Sequence, residues 1–132
     1  MQEKQQFAAK EFRRPINDIL EDFSRQIPQR FISTRMQGGA RIQYISWVNV
    51  TKLLEFFAPG FDWKIEIHYG GDRLYVVGTL VIRAAEGDFT RQATGNESSD
   101  LDKFGDPSSN AEAMALRRAA AKFGLGRHLW EK

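Results

Sequence analysis

The sequence predicts an α+β fold built as one domain over residues 1–132. Its expected order is an N-terminal helix, a β-hairpin, a second helix, a three-stranded antiparallel meander and a long C-terminal helix that packs on the sheet. Three observations carry this expectation. Apolar residues recur at helical spacing in three separate stretches. Between the second and third of these, β-rich runs alternate with a period of two. The turns between β-rich runs are two or three residues long and glycine-bearing, and connections that short join antiparallel neighbours.

Taken in order, Met1 to Arg14 is polar and is expected to be flexible or weakly helical. Pro15 suits a first helical position, and Ile16, Ile19, Leu20 and Phe23 follow at helical spacing, so a helix is predicted from Pro15 to about Gln26, ended by Pro28. Arg30 to Met36 and Arg41 to Trp47 are rich in β-formers and flank Gly38-Gly39, a hairpin signal. On the first arm Phe31, Ser33 and Arg35 share a face; on the second, Arg41, Gln43 and Ile45 alternate with Ile42 and Tyr44. Val48 to Phe57 carries Val50, Leu53, Leu54 and Phe57 at helical spacing and stops at Pro59-Gly60.

Phe61 to Tyr69 sets Trp63, Ile65, Ile67 and Tyr69 on one face and Asp62, Lys64, Glu66 and His68 on the other. Gly70-Gly71-Asp72 turns into Arg73 to Arg83, where Leu74, Val76, Leu80 and Ile82 share a face. Glu86-Gly87-Asp88 turns into a more polar strand, Phe89 to about Asn96, that contains Gly95. Residues 98–107 read as a polar loop.

The last helix is expected from Asn110 to Phe123. Ser108 or Ser109 would cap it, with Glu112 at capping-box spacing from Ser109, and Gly124 and Gly126 would stop it. Leu116, Ala119, Ala120 and Phe123 fall on one face, so Leu116 and Phe123 should bury against the sheet face bearing Trp63, Ile65 and Ile67. Arg117, Arg118 and Lys122 fall on the other side, and the small residues Ala113, Ala115 and Ala121 let another surface come close. Taken alone, this is first a surface helix with a solvated basic face.

Composition bounds the function. Hydrophobic residues make up 42% and charged residues 27%, ordinary for a globular domain, and the absence of cysteine removes disulfides and cysteine-ligated zinc. No apolar run is long enough for a bilayer span, and the N-terminus is too polar for a signal peptide, so no membrane partner and a cytoplasmic protein are expected. The net charge is only +2, but its distribution is uneven. Residues 1–44 hold eight Lys or Arg against five acids, residues 45–107 six against ten, and residues 108–132 five against two. If the two basic ends meet in space they form a cationic surface.

No enzyme is expected. Asp62, Glu66 and His68 share a strand face, but Lys64 sits among them and nothing completes a metal site, so this is the wet face of a strand. His68 and His128 are the only histidines, and His128 follows the last helix as a packing or surface residue. There is no G-x-S-x-G and no phosphate-loop pattern, and Gly38-Gly39 and Gly70-Gly71 are turn signals. No cofactor, metal or small-molecule substrate is expected.

Two stretches together resemble a known family. ISTRMQGGARIQYI (Ile32 to Ile45) is similar to the hairpin of the Rad fifty-two superfamily of single-strand annealing proteins, I-S-x-R-x-x-G-G with Tyr-Ile on the return strand. ALRRAAAKFGLGRHLW (Ala115 to Trp130) is similar to that family's helix, with Leu, two basic residues, Ala and then Phe-Gly. The ending GDPSSNAEAMALRRAAAKFGLGRHLW more closely resembles the bacterial DdrA branch and related phage annealing proteins. The resemblance spans roughly Phe23 to Trp130. It implies a β-β-β-α core, ring-shaped oligomers and single-stranded DNA in a positive groove. It implies backbone contacts from Arg35, Arg117 and Arg118; Lys122, Arg41 and Tyr44 complete the candidate DNA-binding set. The family pattern has a further basic residue where this sequence has Ala121, with Lys122 next along. The long C-terminal tail of eukaryotic members is not expected here, nor recombinase loading by that route.

The resulting expectation is a single-stranded DNA-binding and strand-annealing protein of recombination and repair, acting as a homo-oligomeric ring or helical filament. Annealing needs the backbone held and base edges left free, which Arg and Lys against phosphate provide without sequence information. A few cations per subunit suffice when sites repeat. Free sheet edges and exposed Trp47, Phe56 and Phe57 are the expected motive for self-association. The alternative is an oligomeric scaffold module whose basic helix binds a protein partner.

Overall fold

The computed structural model describes residues 10–99 and 106–131. Helix α1 (Ile16–Ser24) and a short 3-10 turn (Gln29–Phe31) lead into the hairpin β1 (Ile32–Gln37) and β2 (Ala40–Ile45). Helix α2 (Trp47–Phe57) connects to the strands β3 (Asp62–Gly70), β4 (Arg73–Ala84) and β5 (Gly87–Ser98). Helix α3 (Pro107–Lys122) and a final 3-10 turn (Arg127–Leu129) follow. The strands form two antiparallel sheets, β1-β2 and β3-β4-β5, so the α+β order read from the sequence holds.

Capping chemistry shifts several boundaries. Pro15 is extended (ψ 139°) and stands before α1 rather than inside it. Ser46 accepts from the Asn49 N–H at 3.2 Å, so Trp47 opens α2 instead of ending the strand. Gly38 and Gly39, at φ +58° and +78°, join Gln37 to Ala40, as a tight primed turn requires. Helix α3 starts earlier than expected. Asp106 is its cap, accepting from the Ser108 N–H at 3.1 Å and from the Ser108 and Ser109 hydroxyls, and Pro107 takes the first helical position. Glu112 closes no capping box; it accepts the Trp63 indole N–H at 2.9 Å.

Leu74, Val76, Leu80 and Ile82 are buried on the inner face of β4, against which α3 packs, with Val76 clustered on Ala111 and Ala115. The helix comes closest at Gly95 on β5: a β-carbon there would collide with the Ala111 carbonyl and approach the Ala115 N–H. Ala111 and Ala115 are the small residues that permit this approach, whereas Ala113 and Ala121 are half-buried. Leu116 and Phe123 are buried, as expected. Ile65 and Ile67 are not: α3 runs over β4 and β5, leaving them 36% and 43% exposed on β3.

The helix ends in a Schellman motif. Leu125 N–H donates to Ala120 C=O at 3.0 Å and Gly124 N–H to Ala121 C=O at 2.9 Å, with Gly124 at φ +110°.

The stretch before α1, expected to be loose, is tied down over residues 10–14; residues 1–9 and residues 100–105, which fall within the expected polar loop, lie outside the described residues. Lys10 N–H donates to Phe56 C=O at 2.8 Å, and Ala85 N–H donates to Arg14 C=O at 2.9 Å. The Arg14 guanidinium reaches Phe57 C=O at 2.8 Å and the buried Asp22 carboxylate at 2.6 Å, supplying the partner a buried charge needs. Of the aromatics expected to be exposed, only Trp47 is. Phe56 and Phe57 pack against the core, Phe57 edge-on to Phe23 at 6.1 Å.

Candidate nucleic-acid interface

Hairpin register decides which side chains meet. Ser33 pairs with Tyr44 and Arg35 with Ile42, so Arg35 and Tyr44 lie diagonally on one face. Arg41 pairs with Met36 and belongs to the opposite face. The Arg35 guanidinium sits 5.1 Å from the Tyr44 ring centroid. From α3, the Arg117 guanidinium reaches the same ring at 5.5 Å. Both distances are within cation–π range.

The end of α3 holds hairpin and helix together. Gly126, at φ +72°, leaves room for Ile45: a β-carbon there would stand 2.7 Å from the Ile45 side chain. Ile45 and Leu125 are both buried at this junction. The base of β2 is therefore pinned beside the helix terminus, and Arg117, one residue past buried Leu116, faces Tyr44.

These groups line a cavity of about 210 Å³ that also includes Arg118, Met114 and Trp130. Among the described residues its lining contains three arginines and no Asp or Glu. Among the described residues neither Arg35 nor Arg117 pairs with a carboxylate. Burial pushes the Arg117 pKa below its usual value, and the positive charges of Arg35 and Arg118 push the same way. Arginine remains charged even so. The chemistry is that of an anion site, with clustered guanidiniums, of which Arg117 is partly desolvated, on a largely apolar floor.

Not every candidate residue joins this cavity. Arg118 lines it but also donates to Thr94 C=O at 2.9 Å on the outer edge of β5. Lys122 donates to Gln92 C=O on the same edge and is not part of the lining. Arg41, exposed near the hairpin tip, lines a separate recess with Gln29 and Thr34. Arg35, Tyr44, Arg117 and Arg118 are thus brought together, while Lys122 and Arg41 are not. Trp130 and Met114 also line the cavity, and the sequence does not single them out. Trp130 lies in the motif stretch as an aromatic just past the helix, but no periodicity links it to the hairpin.

The acidic and histidine residues of β3 are engaged elsewhere. Asp62 lies 3.8 Å from Lys64 and 3.7 Å from Arg83, and Glu66 lies 3.5 Å from His68. Among the described residues, no three His, Cys, Asp or Glu side chains are grouped to hold a metal ion.

No protein-family model matches the chain. It is similar to the DNA repair RAD52-like protein 1, mitochondrial, of Arabidopsis thaliana, 34% identical over 124 residues that cover 90% of this chain and 69% of the relative. It is also similar to the DNA repair RAD52-like protein 2, chloroplastic, of the same plant, at 32% identity over 124 residues and 62% of that relative's length. The expectation of a cytoplasmic protein does not stand beside these names, because both relatives are organellar. Among the described residues no helix is long and apolar enough to cross a membrane, which does not bear on organelles. With identity above 30% across most of both sequences, the chain belongs to the family of RAD52-like proteins.

Proposed function

We propose that this protein binds single-stranded DNA at the Arg35–Tyr44–Arg117 cavity and promotes annealing of complementary strands in DNA repair and recombination, without catalysing a covalent step. One observation carries the reading: Arg35 and Arg117, from distant parts of the chain, converge on one aromatic ring in a cavity lined by no acid among the described residues. Uncompensated guanidiniums at a cleft favour an anion, and the relatives named for DNA repair favour a nucleic-acid backbone. Backbone contact leaves base edges free, as pairing requires. Kinship with the bacterial DdrA branch belongs to this proposal and is supported by the motif at residues 105–130.

The proposed active form is a homo-oligomer, ring or filament. The support is the face of β3 that α3 leaves bare, where Ile65, Ile67 and Tyr69 (76% exposed) lie along a strand whose outer edge is unpaired among the described residues. The opposite edge, on β5, is occupied at Gln92 and Thr94 by Lys122 and Arg118. A second copy is the proposed occupant of the β3 side.

The test is a double variant, Arg35→Ala with Arg117→Ala, confirmed as folded by circular dichroism. Affinity for poly-dT and for mixed sequence should fall together by about tenfold or more. The salt slope should drop by about 1.4, two contacts at roughly 0.7 each. Unchanged affinity and annealing rate in a folded double variant would overturn the reading and favour the scaffold module.

A further inference from the structure

Beyond phosphate contact, the same cavity carries an aromatic group that the fold does not use. Trp130 is 50% exposed and lines the cavity with Arg35, Tyr44 and Arg117. Its backbone is held: its N–H donates to Arg127 C=O at 2.9 Å, and Leu129 before it donates to Gly126 C=O at 3.0 Å. Leu129 packs on the core and Gly126 fits against Ile45, so the turn that presents Trp130 is anchored at both sides. Among the described residues no ring or guanidinium stacks on the Trp130 indole. Tyr44 differs: it is half-buried with two guanidiniums beside it.

A half-exposed indole on a fixed turn, next to uncompensated cations, combines the two elements that hold single strands, a backbone-tracking charge and a stacking platform. We infer that Trp130 stacks on a nucleobase whose phosphate lies at Arg35 and Arg117. This rests on the proposed single-strand binding. Stacking engages the face of a base and leaves its pairing edge free, so it is compatible with annealing. It is also tolerant of sequence, because every base has a π-face.

The experiment compares binding of wild type, Trp130→Ala and Trp130→Phe to a dT oligonucleotide and to an abasic oligonucleotide of equal length and charge, at one salt concentration. Oligomer size is checked by light scattering. Wild type should prefer the dT strand by about tenfold, within the range reported for one stacked base. Trp130→Ala should lose that preference while keeping its affinity for the abasic strand, and Trp130→Phe should keep most of it. Quenching of tryptophan fluorescence by dT should be present in wild type and reduced in Trp130→Phe. Equal losses on both oligonucleotides, or no change on either, would overturn the stacking role while leaving the backbone site intact. Failure of wild type to bind either strand would overturn both this inference and the single-strand reading.

Discussion

Burial and the neighbouring charges of Arg35 and Arg118 both disfavour the Arg117 guanidinium, and among the described residues the cavity lining offers no carboxylate to offset them. A base whose folded pKa is lowered carries its penalty at every pH where it stays protonated. For arginine that covers the whole range in which proteins are studied, so titration does not reveal the penalty and substitution does. Arg117→Met keeps the apolar stem and removes the charge. Its melting temperature should equal or exceed that of wild type by a few degrees, while single-strand affinity falls, the usual exchange between stability and function at a binding site. The opposing loss is the cation–π contact with Tyr44, about 0.5–1 kcal/mol at a partly exposed site. A marked fall in melting temperature would mean that Arg117 is a packing residue first and a ligand-binding one second.

At the level of elements, α3 depends on how it begins and where it touches the sheet. The Asp106 carboxyl is held below its ordinary value of 3.8, chiefly by the Ser108 hydroxyl and then by the Ser108 N–H. A depressed carboxylate contributes stability that is fully present above its unfolded pKa and is lost as pH falls through the lowered folded value. Asp106→Ala should therefore lower the melting temperature at neutral pH, and the gap to wild type should close below about pH 4. A gap that persists in acid would show that the cap acts through something other than its charge. The far end of α3 works by shape rather than charge, through the turn at Gly124 and Gly126 that sets hairpin against helix.

For the whole molecule, the relevant asymmetry is between the two edges of the meander. The β5 edge has carbonyls taken by Arg118 and Lys122, and the β3 side presents Ile65, Ile67 and Tyr69 to solvent. Placing charge there, as in Ile65→Lys with Ile67→Lys, should shift the particle mass from multimer towards monomer by light scattering at micromolar concentration. Because both positions are already exposed, far-ultraviolet circular dichroism should be unchanged. A wild type that scatters as a monomer would remove self-association from the proposal, and a variant of unchanged mass would move the interface to another surface.

The sequence by itself determined the kind and order of the elements, because helical spacing, strand alternation and glycine turns are local properties. The hairpin turn at Gly38-Gly39, the inner face of β4 and the buried face of α3 were all legible in this way. The two motif stretches and their resemblance to a family were legible as well, and that resemblance implied Arg35, Arg117 and Arg118. Periodicity states which side of its own element a residue occupies; it does not state what lies opposite. Only the tertiary structure decided that α3 covers β4 and β5 and leaves Ile65 and Ile67 bare, and that Lys122 goes to the β5 edge while Arg117 goes to Tyr44. The same holds for caps and charges. Asp106 displaced Ser108 and Ser109 as the helix cap because a carboxylate accepts several donors at once, and Glu112 was drawn to an indole on a distant strand. Such choices are set by competition among partners that chain order keeps far apart, and that competition is resolved only when packing brings them together.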